Sequence, residues 1–209
     1  MNTKTLEQKL AQYHEFFAIA HNFTLNIHPL TTDVSSFDDF LSNMPTPFKL
    51  ASDVTTVDQS ALRPLQALNS VSAQLVDFLN LQAKKIDLLV TYILSQQDDE
   101  QHRYQGIEFG GGGIKFNTAE CFAIGQMLEV KIFLLDNNCA LYCYAEVIEA
   151  SETDDSAAQE NTAESSYQHK AIFHFIREED REALVRISLH EQAKQLQRLA
   201  QHRNQERSN

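Results

Sequence analysis

The histidines are the first residues with chemistry to offer. His14, His21 and His28 stand seven apart. On one continuous helix they would share a face, where three imidazoles could ligate a transition metal. But residues 23–30 read as extended, Pro29 ends any helix, and no carboxylate or cysteine completes the set, so no metal is expected. Glu108, beside Gly110, Gly111, Gly112 and Gly113, has the chemistry of a general acid but no second titrating partner in sequence. The glycines open a strand, and no Gly-Lys-Ser/Thr follows them, whereas phosphate loops open a helix. Cys121, Cys139 and Cys143 cannot all pair and form no CxxC, which favours reduced thiols. Cys139 and Cys143 share parity on one candidate strand and read as small packing residues. With no HExxH and no arguable Ser-His-Asp order, no catalytic residue is assigned and no enzyme is expected.

The elements that would position these groups are organised around residues 104–116, YQGIEFGGGGIKF. Only six glycines occur in the chain, and four sit here between strand-like flanks. Glycine accepts positive φ without a Cβ penalty, so the run predicts a tight or bulged reversal between two strands. Upstream, the chain reads as helical. Leu6, Leu10, Tyr13, Phe17 and Ala20 predict an amphipathic helix over 3–21. A polar connector over 31–59 carries a short helix near 36–41, capped by Ser35 or Ser36.

Residues 61–97 form the strongest helical pattern. Leu65, Leu68, Ser72, Leu75, Leu79, Gln82, Ile86, Leu89 and Ile93 follow an alternating 3-4 step, a heptad seam. Pro64 suits only a first turn, which sets the start near 60–63. Such a helix would be roughly 50 Å long. Val71, Phe78, Leu81, Leu88, Val90, Tyr92 and Leu94 widen the stripe beyond a two-helix seam. Downstream, strands are expected at 127–135, 139–149 and 167–176, with a loop at 117–126 and a turn at Asp136, Asn137 and Asn138. Residues 150–166 are acidic and rich in Ser and Ala, and read as a mobile loop. A helix over 178–201 and a fraying tail over 201–209 end the chain.

Composition narrows the function. The 209 residues suit one or two compact domains, and 43% hydrophobic residues suffice for a core. A net charge of −12 argues against nucleic acid, which requires a basic face. No apolar run reaches the length of a membrane span and no signal peptide opens the chain, so a cytoplasmic location is expected.

The order of long helix, short strand, glycine-rich turn, strands, acidic loop, strand and final helix resembles the PilZ domain family, bacterial receptors for cyclic di-GMP. The resemblance covers about residues 80–200. It rests on three stretches. LNLQAKKIDLLVTYILSQ is similar to the oligomerising heptad helix ahead of some PilZ barrels. YQGIEFGGGGIKF is similar to the first hairpin. VIEAS, followed after the acidic loop by AIFHFIREEDREALVRISLHEQAKQLQR, is similar to the closing strand and capping helix. The resemblance implies an α+β fold: an antiparallel barrel from about Tyr104 to Ile176 with helices before and after it. Together with the residue patterns upstream, this divides the chain into an N-terminal helical segment and connector (1–59), an oligomerisation helix (60–98) and the barrel with its last helix (99–209).

The family's ligand site joins an RxxxR segment, which grips phosphates and guanines, to a (D/N)xSxxG turn. Here Glu108 stands at the acidic position, Gly110 replaces the serine and Gly113 keeps the final glycine. No arginine lies between Pro64 and His102, and Arg103 stands alone before the first strand. The resemblance therefore implies a degenerate ligand site at Arg103, Glu108, Gly110 and Gly113, with no cofactor expected. It also implies a signalling protein that acts by homo-oligomerisation, as a dimer or tetramer, and by contact with a further protein. Leu75, Leu79, Ile86, Leu89 and Ile93 would form the oligomer seam. A weak or altered direct receptor for cyclic di-GMP is the alternative.

Overall fold

The computed structural model describes residues 5–31, 36–51, 73–134, 137, 139–153 and 166–206. Helix α1 (Leu6–His14) leads into β1 (Ala18–Pro29), followed by the short α2 (Phe37–Asn43). Helix α3 (Ala73–Ser95) and a 3-10 turn (Glu100–His102) precede β2 (Arg103–Gly110) and β3 (Gly113–Thr118). Strands β4 (Met127–Leu134), β5 (Cys139–Thr153) and β6 (Ser166–Phe175) complete the sheet, and α4 (Glu178–Glu206) ends it.

The six strands close into an antiparallel barrel in the order β1-β2-β3-β6-β5-β4, with β4 returning to β1. The α+β fold is the expected one, but the barrel starts earlier than Tyr104. Strand β1 pairs with both β2 and β4 and so closes what would otherwise be two open edges. Its inward residues Ile19, Phe23, Leu25 and Ile27 are buried in the barrel core. The helix expected over 3–21 stops at His14, with Thr5 as a capping-box N-cap. The 3-4 spacing of Leu6, Leu10 and Tyr13 does belong to a helix. Extending it through Phe17 and Ala20 runs into the alternation of β1, where burial in the barrel overrides local pattern.

Two other boundaries move. Strand β5 runs to Thr153 and β6 starts at Ser166, so both ends of the expected acidic loop are paired strand. Helix α4 continues to Glu206, beyond the expected fraying point. The proposed start of the long helix near 60–63, together with Leu65, Leu68 and Ser72, lies outside the described residues, as do residues 154–165.

The glycine run works differently from the expectation. Among the described residues, the one glycine with positive φ is Gly125, at 87°. The run is needed for close approach. A Cβ on Gly112 would sit 2.6 Å from the carbonyl oxygens of Gln12 and Tyr13, and one on Gly113 only 2.2 Å from that of Ala171.

The barrel's outer face is partly buried too. Phe40, Met44, Phe48 and Ala51 pack on Phe133, Ala140, Tyr142 and Tyr144, which explains the near-continuous burial of β5. Tyr13 and Leu10 of α1 cover Ile148 and Ile172. Leu184 of α4 joins the barrel core, and Arg177 of the preceding loop binds both Asp180 and the Phe48 carbonyl. Helix α3 is the exception. Leu94 in its last turn is buried and Val90 packs beside it, while Leu75, Phe78, Leu81, Ile86, Leu88, Leu89, Tyr92 and Ile93 are exposed.

Candidate functional site

The expected ligand residues do not meet. Arg103 opens β2 and Glu108 lies near its far end. Five residues of strand separate them by about 16 Å. Arg103 is also engaged: its Nη2 donates to Asp98 Oδ2 at 2.6 Å and its Nε to the same oxygen at 3.0 Å. The Asp98 carboxylate raises the guanidinium pKa further. A second acid, Glu100, lies 3.7 Å from Nη2.

At the other end, the chain's own helices cover the glycine turn. Tyr13 of α1 donates its hydroxyl to Glu108 Oε1 at 2.8 Å. Burial, with the Glu108 carboxylate beside it, pushes the Tyr13 pKa well above that of a free phenol, so the hydroxyl stays a donor. Phe16 and Val185 lie over Gly111, and Gln12 and Tyr13 over Gly112. Arg181 of α4 donates to the Gly111 carbonyl at 2.7 Å, with its guanidinium over the Phe16 ring. Sequence reasoning missed Tyr13 and Arg181. Nothing in a helical spacing identifies a tyrosine whose partner lies 95 residues away.

The histidines are dispersed. His14 ends α1, and His21 and His28 lie on β1. His28 instead faces His102 and Asp99, with its Nε2 3.7 Å from Asp99 Oδ2 and its ring centroid 4.2 Å from that of His102. Partial burial, then the neighbouring His102, lowers the His28 pKa. His102 Nδ1 lies 2.7 Å from the same Asp99 oxygen. The backbone at this point is held from β1. The buried Asn26 amide donates to Asp98 Oδ1 and to the Asp99 carbonyl, and its oxygen accepts the Asp99 N–H, each at 2.9 Å.

One buried histidine is structural. His169 accepts the Phe122 N–H on Nε2 at 3.0 Å, which puts its proton on Nδ1, 3.3 Å from Thr118 Oγ1. Burial lowers its pKa. All three cysteines are free thiols: Cys121 is exposed, Cys139 is half-buried and Cys143 is in the barrel core. Burial pushes the Cys139 thiol up to about 12, which suits packing rather than thiolate chemistry.

Among the described residues, α3 carries a long run of exposed apolar side chains. The seam residues Leu75, Ile86, Leu89 and Ile93 are exposed along one side, with Leu79 half-buried. Phe78, Leu81, Leu88 and Tyr92 form a second exposed stripe, one position from the first. Among the described residues no helix is long and apolar enough to cross a membrane.

Comparison with known proteins places this architecture. No curated protein matches the sequence. Among solved structures, a pathogenic protein from Xanthomonas campestris shares the fold with a TM-score of 0.52 at 15% identity, over 90% of this chain and 96% of that one. It is described as a tetrameric PilZ domain self-assembled through an unusual helical bundle. The PilZ domain of YcgR from Escherichia coli, solved with cyclic di-GMP, aligns at 14% identity and TM-score 0.40, over 49% of this chain and 83% of that one. The inhibitor of motility MotI/DgrA from Bacillus subtilis aligns at 20% identity and TM-score 0.38, over 44% of this chain and 42% of that one. The PilZ domain family model matches residues 80–190, from the eighth residue of α3 through the first half of α4. Spanning more than half of the chain and all but one strand of the barrel, that match makes this protein a member of the PilZ domain family.

Proposed function

We propose that this chain is a non-catalytic regulatory protein of the cyclic di-GMP pathway. It self-associates through α3 and acts on a further protein, with the family's ligand turn closed. The observation that carries the reading is the pair of apolar stripes on α3, exposed from Leu75 to Ile93 apart from the half-buried Leu79. Magnitudes choose the form of assembly. A fully buried Leu or Ile is worth about 1.5–3 kcal/mol, and the exposed seam residues have roughly half of that still to gain. Four such residues from each of two chains supply about 6–12 kcal/mol, against an association cost of about 4–15 kcal/mol. A two-helix seam is therefore marginal, and it leaves Phe78, Leu81, Leu88 and Tyr92 in water. A bundle of four α3 helices covers both stripes, which favours a tetramer over a dimer. The Xanthomonas campestris protein is described as assembling through a helical bundle, and the same mode is assigned here by proposal.

The closed ligand turn belongs to the same reading. Tyr13 holds Glu108, α1 and α4 lie over the glycines, and Asp98 holds Arg103. A dianionic dinucleotide would have to displace α1 and take up charge-assisted hydrogen bonds, worth about 1.5–3 kcal/mol each, without an arginine pair to supply them. Isothermal titration of the full chain with cyclic di-GMP tests this. No heat of binding at micromolar concentrations is expected. Sub-micromolar binding that is lost in Arg103→Ala would replace this reading with that of a direct receptor.

A further inference from the structure

Where α3 gives way to β2, three side chains with metal-ligating atoms converge. His28, Asp99 and His102 each offer one such atom, and all three lie within 4.8 Å of one another. We propose that these residues bind a divalent transition metal of the zinc class, with water in the fourth position, and that the ion ties the exit of α3 to strand β1.

The donor set fits that class. Two imidazole nitrogens and one carboxylate oxygen match zinc and its neighbours, whereas calcium and magnesium take oxygen ligands. The spacing is within reach of a small side-chain adjustment, the two imidazole nitrogens lying within 4.8 Å of each other. A tetrahedral ion with bonds of about 2.0–2.2 Å holds its ligand atoms about 3.3–3.5 Å apart. His28 Nε2 lies 3.7 Å and His102 Nδ1 2.7 Å from Asp99 Oδ2, so one gap closes slightly and the other opens by less than an ångström.

The surroundings hold the ligands in place. Asp99 Oδ1 accepts the Gln101 N–H at 3.0 Å, which leaves Oδ2 turned toward the two imidazoles. Asn26 and His28 share one face of β1, and the buried Asn26 amide fixes the Asp99 backbone opposite His28. The three side chains keep between a third and two-fifths of their surface in solvent, so an ion has a way in. Glu129 and Lys131 on β4 are the register partners of His28 and Asn26, and their opposite charges offset each other beside the site.

The competing account is that Asp99 and His102 form an ordinary hydrogen bond within the 3-10 turn. Calorimetric titration of the tag-free, chelator-treated full chain with zinc chloride separates the two. One equivalent is expected in the wild type. His102→Gln and His28→Gln should each weaken binding about tenfold or more, with far-ultraviolet circular dichroism unchanged. Cobalt(II) should give visible d–d bands without a thiolate charge-transfer band. His102 is half-exposed, so its variant keeps the test sound even if His28→Gln disturbs β1. Absence of zinc uptake at millimolar concentration would overturn the proposal. So would an equivalent that survives His28→Gln/His102→Gln, or a thiolate band placing the metal on cysteine.

Discussion

Replacing Gly113 with alanine asks whether the glycine run is there for backbone freedom or for close approach. Gly113 has an ordinary backbone conformation for a strand, so no strain in φ is involved. Its register partner across the β3–β6 ladder is Ile172, and a Cβ would lie 2.2 Å from the Ala171 oxygen and 2.9 Å from the Tyr13 ring. A comfortable carbon–oxygen contact is about 3.3 Å, so β3 and β6 must part by about 1 Å. Strand β6 is held on its other side by β5, and Tyr13 is anchored on Glu108. Overpacking of this kind costs about 1–3 kcal/mol, and the reduced entropy of the unfolded chain returns about 0.4–1 kcal/mol. A net loss of about 1–2 kcal/mol is expected in urea denaturation. Gly125→Ala is the control. Nothing lies within 4 Å of its Cβ, so any loss there comes from φ alone. If Gly113→Ala unfolds at the wild-type midpoint or above it, the close-approach argument is wrong.

Two further predictions concern individual side chains. His169 is buried neutral, with its folded pKa below the unfolded value near 6.5, so its contribution to stability is present above that pH and is lost as pH falls through the folded value. The melting temperature of the wild type should therefore drop faster below about pH 6.5 than that of His169→Gln, whose amide oxygen still accepts the Phe122 N–H. Parallel pH curves would contradict this. Tyr13→Phe removes the hydroxyl that donates to Glu108 and should cost about 1.5–3 kcal/mol in urea denaturation, the range for a hydrogen bond to a charged group. An unchanged midpoint would mean that water replaces the hydroxyl at no cost.

The sequence carried the barrel's later strands because their signal is local. β4 opens with alternating apolar and polar residues and pairs with β5, the next strand in sequence, and YQGIEFGGGGIKF reads directly as a hairpin. Strand β1 was legible only in its second half, since residues 23–30 read as extended while its start reads as part of the preceding helix. Its neighbours are β2 and β4, far along the chain, and its apolar residues extend the 3-4 spacing of α1. The short helix at α2 and its cap, Ser36, were legible because capping acts over three residues. The candidate sites divide in the same way. The heptad spacing on α3 is visible in sequence, whereas the Tyr13–Glu108 bond and the meeting of His28 with His102 join residues whose proximity only barrel closure creates. Arg103 and the glycine turn, adjacent in the motif, stand at opposite ends of β2, since a strand of this length keeps its two ends apart.

The central claim is that α3 assembles copies of this chain, and light scattering coupled to size exclusion measures it most directly. At micromolar concentration the account predicts a mass near four times the single-chain 23.8 kDa. Leu79→Glu combined with Ile86→Glu should reduce that mass to the single-chain value while the circular dichroism of the barrel persists. A wild-type protein that already runs at 23.8 kDa would contradict the account.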